Sequence, residues 1–89
     1  MTTHKASITR TQTGVRIESR LLKVLKALAE LHDISLADLL EGIALHALEG
    51  ELPFSPETLA QAATLREVYG LTLTARDSHQ LIERKKEQK

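Results

Sequence analysis

The stretch Thr11-Gln12-Thr13-Gly14-Val15-Arg16-Ile17-Glu18, continued by Ser19-Arg20-Leu21-Leu22-Lys23-Val24-Leu25, changes hydrophobic period once and keeps the new one. Thr13, Val15 and Ile17 alternate with Gln12, Gly14, Arg16 and Glu18, the period of two expected of a strand with one buried face. From Leu21 the period is helical: Leu21, Leu25 and Leu28 share a stripe, with Leu22 and Ala29 beside it. After a break at Asp33 a second stripe runs Leu36, Leu39, Leu40, Ile43, Ala44 and Ala47. The order is therefore one short strand followed by two amphipathic helices.

A lone strand leaves both edges unpaired in water, and no second segment of this chain alternates well enough to pair with it. The expected partner is a second copy, antiparallel about a two-fold axis. The resulting two-stranded ribbon has the width of the DNA major groove. With Val15 and Ile17 facing a core, parity places Gln12, Gly14 and Arg16 on the outer face. Arg binds guanine and Gln binds adenine bidentately, so two of these three carry base-reading chemistry. Gly14 has no side chain; it lets the ribbon approach the groove floor or marks a bulge.

Eighty-nine residues make a single small domain that buries too little surface to be comfortable alone. The chain has no cysteine, so neither disulfides nor thiolate zinc sites supply the missing stability. No apolar run approaches the roughly 20 residues of a membrane span, and the N-terminus lacks the apolar core of a secretory signal. A cytoplasmic protein with no membrane association is expected, stabilised by forming a homodimer. Phe54 and Tyr69 are its only aromatic residues, so the core is built from aliphatic side chains.

The net charge is zero, but its distribution is uneven. Residues 1–20 carry Lys5, Arg10, Arg16 and Arg20 against Glu18 alone, whereas residues 21–50 carry Lys23 and Lys26 against Glu30, Asp33, Asp38, Glu41 and Glu49. A basic arm and strand thus precede an acidic helical body, and dimerisation doubles the basic end on one surface.

Local signals divide the chain into a flexible basic arm at 1–10, a strand and two helices at 11–50, and a helical extension at 51–89. The first helix begins at Glu18 or Ser19 and ends near His32 and Asp33. The second begins at Ser35, with Asp38 three residues on, and ends at Gly50. Ser55, Pro56 and Glu57 open a third helix, expected to reach Tyr69 with Leu59, Ala62, Ala63, Leu65 and Val68 on its buried side. Gly70 stops it. Thr74 with Asp77 three residues on predicts a last helix through about Glu83, before a frayed end at 84–89.

The histidines His4, His32, His46 and His79 lack the spacing of a metal site, so no metal is expected. No nucleophile has a base in a recognisable motif, and no glycine-rich phosphate loop exists, so neither enzymatic activity nor a cofactor is expected. Ser35 has two roles open to it. As a helix cap it stabilises by about 1 kcal/mol, and the same helix start exposes the N–H groups of Leu36 and Ala37 to a phosphate.

Taken together, residues 11 to about 50 resemble a ribbon-helix-helix domain of the MetJ/Arc/CopG type, so the expected fold class is mostly α with one short N-terminal strand pairing between subunits. The pieces that carry the likeness are Gln12-Thr13-Gly14-Val15-Arg16-Ile17, the helix Leu21 to Leu31, the Asp33-Ile34-Ser35 turn and the helix Leu36 to Leu48. The resemblance implies an intertwined homodimer that binds double-stranded DNA as a transcriptional repressor. It implies Gln12, Gly14 and Arg16 as base contacts, and Ser35 and Leu36 as a phosphate clamp. The charge distribution adds Lys5, Arg10 and Arg20 as further expected phosphate contacts. Thr13, Val15, Ile17, Leu21, Leu25, Leu39, Leu40 and Ile43 are the expected dimer interface. A close variant is an antitoxin whose residues 51–89 bind a toxin. The alternative is a protein-interaction module that keeps the dimeric fold without binding DNA.

Overall fold

The computed structural model describes residues 5–84; His4 and the stretch 85–89 lie outside the described residues. Three helices make up the body: α1 Ser19–Leu31, α2 Leu36–Leu48 and α3 Pro56–Val68, followed by a single 3-10 turn at Ala75–Asp77.

Each helix starts on a side chain. Glu18 accepts from the Leu21 N–H at 2.8 Å, Ser35 from Asp38 at 3.0 Å and Ser55 from Thr58 at 3.1 Å, and each bond satisfies a donor that the first helical turn leaves without a partner. The ends share one device. Asp33, Gly50 and Gly70 adopt left-handed geometry with φ of 56°, 75° and 67°. This lets the next residue reach back: Ile34 N–H donates to Ala29 O at 3.0 Å, Glu51 to His46 O at 2.9 Å and Leu71 to Arg66 O at 2.8 Å. These are paired Schellman closures, in which the left-handed residue also donates, to Glu30, Ala47 and Glu67 respectively.

The core is small. Val24, Leu28, Ala29, Leu39 and Leu71 are the buried apolar side chains among the described residues. Leu28, at 1% exposure, sits at the centre with Ala29 and Leu39, and Leu25, Ile43, Phe54, Ala62 and Leu65 pack around them. Residues from α3 and the turn before it therefore share one core with α1 and α2. Among the described residues no helix is long and apolar enough to cross a membrane.

The expected ribbon-helix-helix fold is corrected here: no strand exists among the described residues. Residues 5–18 lie outside regular structure. A ladder needs a second backbone alongside to accept its hydrogen bonds, and residues 11–17 make no backbone hydrogen bond among the described residues. The alternation consequently buries little: Val15 is 74% exposed, Thr13 is exposed, and Ile17 alone of that face is half-buried. The last expected helix, Thr74 to Glu83, is likewise reduced to one turn. Asp77 does accept from the Thr74 N–H at 2.8 Å, but His79 enters left-handed geometry with φ 68° and the chain leaves the helix there.

Candidate nucleic-acid interface

The segment before α1 carries most of the residues expected to contact DNA. Lys5, Arg10, Gln12, Gly14 and Arg16 are all exposed along it. A Cβ placed on Gly14 meets nothing within 4 Å, and Gly14 is not among the left-handed residues, so nothing among the described residues requires glycine at that position.

The two arginines of the arm are already engaged. Arg10 grips Glu41 on α2 through two donors, Nε at 2.8 Å and Nη2 at 2.9 Å. That contact holds the Glu41 carboxylate below its ordinary pKa, through the hydrogen bonds to Arg10 and then through its charge. Asp38, one turn earlier on α2, adds its negative charge to the field at Arg10. Arg16 forms a similar fork with Glu83, which follows the 3-10 turn in the C-terminal segment. Both pairs are solvent-exposed.

Arg20, expected on phosphate, makes bonds within the chain while its side chain stays 42% exposed. Its Nε donates to Glu18 at 3.0 Å and its Nη1 to the Gly70 carbonyl at 3.1 Å. Glu18 holds the helix start and this arginine together, and its carboxyl lies below its ordinary pKa, first because it accepts from the Leu21 N–H and then because of Arg20.

The helix start at Ser35 is engaged in its own cap, and Asp38 shares that first turn. A phosphate there would meet the exposed residues Ser35 and Ala37 together with the Asp38 carboxylate, so the anion-attracting helix end is partly offset. Arg10, bound one turn further along α2, is the cation that the structure brings to this end of the helix.

Of the expected interface residues, Leu39 is buried in the core of its own chain, while Leu21, Leu25, Leu40 and Ile43 are half-buried. The apolar residues that α2 leaves open lie further along. Leu45 is 64% exposed and Leu48 83% exposed, with Ala44 and Ala47 exposed between them. The sequence stripe ended at Ala47 and missed Leu45 and Leu48, because the C-terminal half of α2 is apolar on more than one face.

An open cleft of about 220 Å³ lies between α2 and the start of α3, lined by Ile34, Leu39, Ile43 and Phe54, with His32 and His46 among its walls. His32 Nε2 bonds Gln61 of α3 at 2.9 Å and so links the end of α1 to α3, whereas His46 Nδ1 bonds the Gly42 carbonyl at 2.7 Å within α2 itself. No protein-family model, no curated protein and no solved structure matches this chain.

Proposed function

We propose that this protein is a homodimer that binds double-stranded DNA through its basic N-terminal segment, with repression of transcription by occupancy as its role. The observation that carries the reading is that residues 5–18 run outside the helical body with Lys5, Arg10, Gln12 and Arg16 all exposed. Such a segment follows a phosphate backbone with its cations and presents Gln12 and Arg16, whose side chains are suited to base edges. Dimerisation brings two such segments to one duplex.

Support for the dimer comes from surface. Leu45 and Leu48 of α2 and Leu52 after it leave large apolar side chains exposed. A second copy laid on the open half of α2 removes these side chains from water.

The test is an anisotropy titration against random-sequence duplex at several salt concentrations. Binding whose log affinity falls with log salt at a slope of magnitude about 4 to 7 is expected for a dimer releasing counterions from several phosphates. Absence of binding at low salt overturns the reading.

A second reading, a protein-interaction module that does not bind DNA, is favoured by one observation. Arg10 and Arg16 already hold carboxylates, Glu41 and Glu83. A surface that pairs arginine with glutamate inside one chain is also suited to pairing with acidic protein partners.

A further inference from the structure

Glu83 stands 67 residues after Arg16, and a specific set of contacts carries it there. The chain leaving α3 is fastened at Gly70, whose carbonyl accepts from Arg20, and then at Leu71, which is buried. Arg66 Nη2 next holds the Leu73 carbonyl at 2.7 Å. The 3-10 turn follows, closed by Asp77 on the Thr74 N–H, and Gln80 folds back onto it through Nε2 to the Arg76 carbonyl at 2.9 Å. The C-terminal segment is thus led back to the arm, where Glu83 meets Arg16. Glu41 reaches Arg10 from the rigid frame of α2.

We propose that these two carboxylates restrain the arm: Glu41 and Glu83 occupy the Arg10 and Arg16 guanidiniums in the free protein, and DNA binds by exchanging carboxylate for phosphate or base. The inference rests on the DNA-binding reading above and specifies how that site is regulated. Both pairs use the forked guanidinium geometry that also fits a phosphate, so the carboxylate and the nucleic acid compete for the same donors. Both are solvent-exposed, which makes them weak enough to open and poorly suited to holding the fold. Because Glu83 is delivered by the segment after α3, a ligand or partner that lifts this segment frees Arg16 without touching the arm.

The experiment compares wild type with the Glu41→Gln/Glu83→Gln variant in titrations against one random-sequence duplex at fixed salt. A control, Glu30→Gln/Glu57→Gln, removes the same charge from positions outside these pairs. The expected result is binding about 3- to 10-fold tighter in the first variant than in wild type, the range that two exposed pairs can hold back, and a clearly smaller gain in the control. Binding by the Glu41→Gln/Glu83→Gln variant alone also supports the restraint. Equal affinity of wild type and that variant, or an equal gain in the control, overturns the restraint and leaves DNA binding standing. No binding by any of the three overturns the DNA reading and the restraint with it. The Glu83→Gln single variant, changed outside every helix, keeps the comparison open should the double variant lose helicity by circular dichroism.

Discussion

Arg20 and Gly70 are joined by a 3.1 Å hydrogen bond from the guanidinium Nη1 to the carbonyl, tying the first turn of α1 to the end of α3. The same side chain holds Glu18, which caps α1. One residue therefore links the point where the arm enters the body to the point where the C-terminal segment leaves it. Replacing it with methionine keeps the apolar stem and removes the donors. Arg20→Met is expected to cost about 0.5 to 1.5 kcal/mol of stability in urea unfolding. It should also speed limited proteolysis within residues 71–84, the segment that this bond anchors.

Asp33 ends α1 in left-handed geometry, which a side chain with a Cβ tolerates poorly. Glycine takes the same conformation freely, as Gly50 and Gly70 do at the ends of α2 and α3. Asp33→Gly is accordingly expected to raise stability by about 0.5 to 1 kcal/mol, read as a higher urea midpoint at unchanged slope. A lower midpoint would show that the Asp33 side chain contributes a contact that outweighs its strain.

Val15 and the outer residues of α2 separate folding from association. At 74% exposure, Val15 packs little within its own chain, so Val15→Asp should leave unfolding within about 0.5 kcal/mol of wild type. Leu45→Asp/Leu48→Asp changes two side chains that the chain itself leaves open, and should retain the helical circular dichroism signal. In sedimentation, wild type is expected as a dimer and the α2 variant as a monomer. A monomeric wild type would remove α2 as an interface.

Gly14 meets no atom that forbids a side chain, so Gly14→Ala should fold with unchanged stability. If the arm lies close against a duplex at this residue, the added methyl group weakens DNA binding severalfold. Unchanged binding in the titration would place Gly14 away from the contact surface.

Acid should weaken the start of α1. The Glu18 carboxyl lies below its ordinary value of 4.5, and Glu41 shares the direction, so each is more acidic folded than unfolded. A group of this kind adds stability that is present above the unfolded value and is lost as pH falls through the folded one. Glu18→Gln removes that dependence at its own site. The difference in urea midpoint between wild type and Glu18→Gln should therefore be larger at pH 7 than at pH 3, and a constant difference would exclude Glu18 as a source of acid sensitivity.

The three helices and their ends were legible in the sequence because the bonds that define them are local. Ser35 and Ser55 cap across three residues, and Asp33, Gly50 and Gly70 close their helices by bonds that reach back within one or two turns. Leu28 and Ala29 were likewise marked by helical period, although Val24 is the buried neighbour that the stripe through Leu21 and Leu25 did not select. The Glu18 cap was also apparent, whereas the bond from Arg20 to the Gly70 carbonyl was not, since that contact spans 50 residues. Alternation at Thr13, Val15 and Ile17 did not specify a strand, because a strand exists only where a second backbone accepts its hydrogen bonds. The pairing of Arg16 with Glu83 and of Arg10 with Glu41 was decided by the tertiary structure alone. Charge patterning identifies which residues can pair, but only the path of the chain through space brings side chains 31 and 67 positions apart into reach.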